Sequence, residues 1–133
     1  MILLDTSAWV EFDRRTGSRV HRRVRDLIAS EIPAVAVTEP VIAEVCMGAR
    51  SDAAERDLRR FLGRFQLLPF EAARDFDAGV SIYRACRRAG ITPRGLSDCL
   101  IAAVAARHDA TLLAADADIR RIAEVMPLRL DAY

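Results

Sequence analysis

The first eleven residues of the chain, MILLDTSAWVE, constrain its fold most, because a short apolar run ends abruptly at an acid. Residues 2–5 have the pattern of a buried β-strand, and residues 6–12 that of a helix that follows directly. Two interpretations of Asp5 are open at this junction. Its carboxylate caps the helix by accepting backbone N–H groups, or it lies at the carboxyl edge of a parallel sheet, where α/β folds bind ligands.

Strand and helix patterns alternate along the rest of the 133 residues. Strands are predicted over residues 2–5, 34–37, 66–69, 111–114 and 128–130. Helices are predicted over residues 6–12, 17–30, 38–47, 51–65, 71–89, 97–108 and 117–125. Strands interleaved with helices are typical of a mainly parallel sheet covered by helices on both faces. The length favours one α/β domain spanning residues 1–133.

Two details of the helix predictions concern packing and capping. In the helix over residues 71–89 we expect Ala72, Phe76, Val80 and Tyr83 to face the core. Ser97 is expected to cap the helix that follows, in which the eight residues 99–106 are all apolar. Such a helix is expected to be buried nearly all round.

The composition excludes several classes of protein. All 20 basic residues are arginine, so a Walker A loop and Schiff-base chemistry, which require lysine, are excluded. No apolar run is long enough to cross a membrane, and no basic segment precedes the first apolar run as in a signal peptide. The three cysteines lie in apolar helical patterns and are expected to be buried thiols in a reducing compartment. We therefore expect a cytoplasmic protein with no membrane partner.

Arginines are concentrated in and just before the second predicted helix. Six of the twelve residues 14–25 are arginine. Such a cluster is most often a solvated face, but it is also the best candidate in this chain for contacts with phosphate groups. The arginines considered for substrate binding are Arg14, Arg15, Arg19, Arg22 and Arg23.

Glu44 is an acid with no expected partner. It lies within the apolar run VIAEVCM, and no basic residue occurs three or four positions away on either side. An unpaired carboxylate is costly to bury. Either this helix face reaches solvent, or a cation binds Glu44.

Three further acids occur where strands end or helices begin. Asp98 lies in the first turn of the sixth predicted helix, and Asp116, with Asp118 after it, follows the fourth predicted strand. Each is explained locally, because carboxylates stabilise helix N-termini. In right-handed crossover units, however, strand ends and helix starts lie at the same edge of the sheet. Asp5, Asp98 and Asp116 are therefore expected at one edge, and Glu44 joins them only if its helix leans inward.

Carboxylates that converge without cations repel one another and raise some of their pKa values. Mg²⁺ or Mn²⁺ removes this conflict, because both ions prefer oxygen ligands. Such ions serve phosphodiester chemistry by activating water and stabilising the negative charge that develops. With only two histidines in the chain, a histidine-based metal site is not expected.

Four motifs in this order resemble those of PIN-domain ribonucleases, and at this length those of the VapC-type toxins of bacterial toxin–antitoxin pairs. The motifs are the apolar strand ending in Asp5-Thr6-Ser7, Glu44 in an apolar helix, Leu96-Ser97-Asp98 opening a buried helix, and residues 112–118 with Asp116 and Asp118. The resemblance implies a three-layer α/β/α sandwich with a five-stranded sheet of order 3-2-1-4-5. It also implies a Mg²⁺-dependent endoribonuclease that leaves 5′-phosphate and 3′-hydroxyl ends.

The resemblance further implies site residues and partners. By position, Asp5, Glu44, Asp98 and Asp116 match the acidic quartet expected to be catalytic, and Thr6 matches the polar residue after the first acid. The metal ligands expected from this match are Asp5, Asp98, Asp116 and the auxiliary acid Asp118. The partners implied are RNA, a second copy of the toxin, and a small VapB-type antitoxin whose C-terminal segment covers the site.

Two other functions stay open at this point. A small Mg²⁺-dependent phosphatase using the Asp-Ala-Asp sequence at residues 116–118 is disfavoured, because such enzymes usually require a nearby lysine. A non-catalytic module that binds RNA or protein through its arginine-rich helix would use the acids only as helix caps. RNA cleavage with and without a chelator distinguishes the enzyme from this module.

Overall fold

The computed structural model describes residues 1–133 and contains all seven predicted helices. The strands are β1 (Ile2–Leu4), β2 (Val35–Val37), β3 (Gln66–Leu67) and β4 (Thr111–Leu113). The helices are α1 (Thr6–Asp13), α2 (Arg19–Ser30), α3 (Glu39–Met47), α4 (Asp52–Leu62), α5 (Ala72–Arg88), α6 (Leu96–Arg107) and α7 (Ala117–Ile122), with a 3₁₀ turn at Ile32–Ala34. None of these helices is long and apolar enough to span a bilayer.

The strands form one parallel sheet of order β3-β2-β1-β4. Consecutive residues of a strand point to opposite faces, and all three residues of β2 are at most 1% exposed. Both faces of the sheet are therefore covered by helices, as the run of apolar residues predicts. The α/β fold class is confirmed.

The prediction of a fifth strand at residues 128–130 is wrong in detail. In its place a single parallel bridge joins Leu130 to Leu112. The N–H of Leu112 donates to the carbonyl of Arg129 at 2.8 Å, and the N–H of Asp131 donates to the carbonyl of Leu112 at 2.9 Å. β4 has only three residues, and its two ends direct their hydrogen bonds towards β1. Leu112 alone therefore faces the outer edge, and one residue cannot support a regular strand.

The packing predicted for α5 is wrong for Ala72, Phe76 and Val80, whereas Tyr83 is partly buried against the core as expected. Phe76 and Val80 are 46% and 50% exposed. The buried residues of this helix are Asp75, Gly79, Ile82 and Cys86. The buried face is therefore displaced by one position from the predicted one, because Asp75 takes the buried place that was expected for Phe76.

Asp75 can be buried because Arg107 of α6 neutralises it. The Nε and Nη2 atoms of Arg107 donate to the two carboxylate oxygens at 2.9 and 2.8 Å. The N–H of Glu71 donates to the same carboxylate at 2.7 Å. Burial acts to raise the pKa of Asp75, but these hydrogen bonds outweigh it and lower the pKa below its ordinary value. The pair fixes α5 against α6.

α6 begins one residue earlier than predicted, at Leu96. Its N-cap is Gly95 rather than Ser97, and no side chain caps it. Residues 99–105 are all buried, which confirms that the helix is enclosed almost all round. Its first turn, with Asp98, emerges at the carboxyl edge of the sheet.

The Arg107–Asp75 pair gives a test of the packing of α5. Replacing Arg107 with Met keeps an apolar stem but leaves Asp75, which is 1% exposed, without its counter-charge. We expect a loss of about 3 kcal/mol in the free energy of unfolding, measured by urea titration. Arg60→Met, which removes an exposed pair with Asp57, is the control and should cost less than about 0.5 kcal/mol. Equal losses would contradict this assignment.

Candidate metal centre

Asp5 lies where β1 and its neighbouring strand β4 end side by side. Its N–H donates to the carbonyl of Leu113 at 2.9 Å, which extends the pairing of β1 with β4 by one residue. Its Oδ2 accepts from the N–H of Ser7 at 3.1 Å and from the Ser7 hydroxyl at 2.6 Å, so that Asp5 is the N-cap of α1. Its Oδ1 is buried and has no hydrogen-bond partner. One oxygen of Asp5 therefore caps the helix, and the other is buried at the carboxyl edge of the sheet without a protein partner.

Asp98 lies in the first turn of α6, and its carboxylate lacks a protein cation of its own. Burial raises its pKa to about 7, with further contributions from the negative charges of Asp5, Asp116, Glu44 and Asp118. These contributions show that the acids at this edge interact electrostatically. Burial, and to a smaller extent Glu44, also raises the pKa of Asp5.

Asp116 comes after β4 and is the N-cap of α7, because its Oδ1 accepts from the N–H of Asp118 at 2.7 Å. Asp98, Asp116 and Asp118 each have one carboxylate oxygen that lies within 4.8 Å of those of the other two. As with Asp5, the local role in capping and the position in the cluster are compatible.

Glu44 reaches the cluster from α3. Its Oε1 accepts from the hydroxyl of Thr6 at 2.7 Å, and it forms no ion pair. The helix therefore leans inward, towards the start of α1. Thr6 links Glu44 to the residue that follows Asp5.

Two arginines that the sequence analysis did not assign to the site bind its acids. Arg94 donates to Asp116 Oδ2 from Nη2 at 2.7 Å, and to Asp118 Oδ2 from Nε at 3.0 Å and from the backbone N–H at 3.1 Å. Arg121 donates to Asp118 Oδ1 at 2.8 Å. The sequence could have indicated Arg94 by its position alone. It lies two residues before the start of α6, at the sheet edge where the acids were expected.

The family of the chain follows from comparison with known proteins. A family model described as PIN domain matches residues 2–125. The chain belongs to the PIN domain family. Over 133 residues it is 44% identical to VapC ribonuclease Mb1587 from Mycobacterium bovis, covering 100% of this chain and 99% of that protein. The figures for ribonuclease VapC11 from Mycobacterium tuberculosis are the same.

A solved structure confirms the fold of this PIN domain. VapBC2 from Rickettsia felis, bound to a DNA fragment from its promoter, has a chain that matches with a TM-score of 0.75. The identity is 21%, and the match covers 98% of both chains.

The acids of this PIN domain fit a hard divalent cation. The Oδ1 of Asp5 is buried without a partner, and Asp98 lies among like charges with no cation of its own. Carboxylate oxygens are the ligands that Mg²⁺ and Mn²⁺ prefer. Asp118 differs from these acids, because both of its oxygens accept from arginines. Burial acts to raise the pKa of Asp118, but these hydrogen bonds outweigh it and lower the pKa.

The five arginines predicted to bind substrate are not equivalent in the structure. Arg23 pairs through two hydrogen bonds with Asp131, and Arg19 donates to the carbonyl of Tyr133 at 2.7 Å. Both hold the last residues of the chain against α2. The other three are exposed on or just before this helix, namely Arg14, Arg15 and Arg22.

The open cleft beside the acids has a volume of about 670 Å³. Its walls include Ser7, Asp116 and Asp118, together with the two arginines that bind these acids, Arg94 and Arg121. None of the five predicted arginines lines it. The basic groups nearest to the acidic edge are therefore supplied by the loop before α6 and by α7.

The raised pKa of Asp98 predicts how stability depends on pH in the metal-free protein. The folded state holds this proton more tightly than the unfolded state, so its stabilising effect is lost as the pH rises through about 7. With EDTA present, the free energy of unfolding should fall between pH 6 and pH 8 by about 1 kcal/mol or less, because the half-buried group is partly screened by water. Urea titrations at the two pH values measure this.

Asp98→Asn is the control for this pH dependence. The variant cannot titrate at position 98, so its free energy of unfolding should change less over the same interval. Identical slopes in the two proteins would show that Asp98 is already ionised at pH 6.

Proposed function

We propose that this PIN domain is a metal-dependent endoribonuclease and the toxin of a VapBC-type toxin–antitoxin pair. The observation that carries the proposal is the buried, unpartnered Oδ1 of Asp5 at an edge shared with Asp98, Asp116 and Glu44. The 44% identity to proteins named VapC ribonucleases supports the reaction class.

In this proposal Asp5, Asp98 and Asp116 hold Mg²⁺ or Mn²⁺. Such an ion lowers the pKa of a water molecule and offsets the negative charge that develops on the phosphodiester. Glu44, positioned by the hydroxyl of Thr6, completes the acidic set and orients the attacking water. Asp118 remains the auxiliary ligand in this proposal, since one of its oxygens lies within 4.8 Å of those of Asp98 and Asp116, and it also holds Arg94 and Arg121 in place.

The RNA backbone is bound by arginines in this proposal. Arg94 and Arg121 line the cleft beside the acids, and guanidinium groups bind phosphate through paired hydrogen bonds. Arg14, Arg15 and Arg22 are exposed and are assigned to more distant parts of the RNA. Arg19 and Arg23 are assigned to the C-terminal residues that they already bind.

The proposed partners are a small VapB-type antitoxin and a second copy of this chain. A structural neighbour from Klebsiella pneumoniae is described as a toxin–antitoxin complex. On this chain the apolar side chains of Phe76 and Val80 on α5 are about half exposed, and their burial in an assembly would be favourable. The three free, buried thiols are consistent with the cytoplasm as the proposed compartment.

RNA cleavage tests the proposal. The purified chain should cleave total bacterial RNA with Mg²⁺ or Mn²⁺, and EDTA should abolish cleavage. Asp5→Asn and Asp98→Asn should each lower the rate by about 100-fold or more, because a metal ion contributes several kcal/mol to stabilising the transition state. Gel analysis of end-labelled RNA measures the rates and the end groups.

Asp77→Asn is the matched control, because Asp77 is an exposed acid on α5. Its rate should equal that of the parent protein. Cleavage that survives EDTA and both acid substitutions would overturn the proposal. RNA binding without cleavage, unchanged by EDTA, would favour the non-catalytic binding module instead.

A further inference from the structure

Arg94 occupies a position in the acidic cluster that calls for an explanation. Its side chain is 76% exposed, yet its guanidinium contacts two acids, Asp116 at 2.7 Å and Asp118 at 3.0 Å. Exposed arginines usually gain little from such pairs. Here the guanidinium lies where the like charges of several carboxylates otherwise repel one another.

The contact with Asp116 competes with metal binding. Asp116 Oδ1 accepts from the N–H of Asp118, and Oδ2 accepts from Arg94. An ion that binds both Asp98 and Asp116 needs an oxygen of Asp116 at the place where their carboxylates come within 4.8 Å. A guanidinium and a divalent cation on one carboxylate repel each other strongly at such distances. The ion and the Nη2 group of Arg94 therefore compete for the negative charge of Asp116.

The contacts with Asp118 allow Arg94 to leave Asp116 without losing its place. Asp118 Oδ2 binds the backbone N–H of Arg94 at 3.1 Å, and Oδ1 binds Arg121 at 2.8 Å. Neither of these bonds involves Asp116. The loop before α6 is therefore held by the backbone of Arg94, and the exposed guanidinium turns into the cleft when its Nη2–Asp116 and Nε–Asp118 contacts break.

We propose that Arg94 is a built-in counter-cation of this site, which neutralises Asp116 in the metal-free protein and leaves it when a divalent ion binds. This inference rests on the proposed function, because it requires that Asp98 and Asp116 hold such an ion. Arg94 is a positioning residue in this role. In the ion-bound state its guanidinium faces the cleft, where the RNA backbone is expected.

Mn²⁺ binding in the absence of RNA tests this inference directly. Arg94→Gln removes the competing charge, so its Mn²⁺ dissociation constant, measured by isothermal titration calorimetry, should fall by about three- to fivefold. Arg94→Lys keeps a charge but cannot span both acids, and its constant should lie between those of Arg94→Gln and the parent protein.

Arg121→Gln is the matched control, because it also removes one positive charge beside Asp118 but makes no contact with Asp116. Its Mn²⁺ dissociation constant should change by less than about twofold.

Thermal unfolding gives a second readout. With EDTA, Arg94→Gln should melt below the parent protein, and saturating Mn²⁺ should raise its melting temperature by more than that of the parent.

The outcomes separate this inference from the proposed function. If the parent protein binds Mn²⁺ and Arg94→Gln binds it no more tightly than Arg121→Gln does, Arg94 is not a counter-cation, while the metal-dependent nuclease stands. If neither the parent protein nor Arg94→Gln binds Mn²⁺, both the inference and the metal-dependent reaction fail. A lower Mn²⁺ dissociation constant for Arg94→Gln, with that of Arg121→Gln unchanged, supports the replacement of Arg94 by the ion at Asp116.

Discussion

The parallel pairing of β1 with β4 is the interaction on which the rest of this structure depends. The N–H of Asp5 donates to the carbonyl of Leu113, so β1 and β4 end at the same level. A helix follows directly after β1 and three residues after β4, and its N-cap is an acid in both cases, Asp5 and Asp116. Ser7 joins the two turns, since its hydroxyl donates to Asp5 and accepts from the N–H of Ala115. The site is therefore a consequence of sheet topology.

Negative charge at this edge is balanced in two different ways. Asp118 has a depressed pKa because Arg94 and Arg121 donate to both of its oxygens. Asp98 has a pKa raised to about 7, because it is half-buried among like charges. The same sheet edge thus contains two acids that form ion pairs with arginines, Asp116 and Asp118, and one, Asp98, that lies among like charges without an ion pair.

Local sequence patterns predicted the elements of this fold well and their packing less well. All seven helices and four of the five strands were found, because apolar periodicity and capping residues act over a few positions. The fifth strand is reduced to one bridge because the three residues of β4 leave only Leu112 free at the outer edge. Phe76 and Val80 are exposed because Arg107, distant in sequence, allows Asp75 to be buried in their stead. Neither effect can be predicted from a short stretch of neighbouring residues, because both depend on contacts between distant parts of the chain.

The sequence by itself determined that acids follow β1 and β4 and begin α6, and hence that they share one edge of a parallel sheet. It also singled out Glu44, since no basic residue lies within helical reach of it. Only the tertiary structure decided which acids are already neutralised. Arg94 is 22 and 24 residues from the two aspartates that it binds, and contacts over such separations depend on how the loops fold together. For the same reason Arg19 and Arg23, which pattern alone assigned to RNA, bind residues more than 100 positions away at the end of the chain.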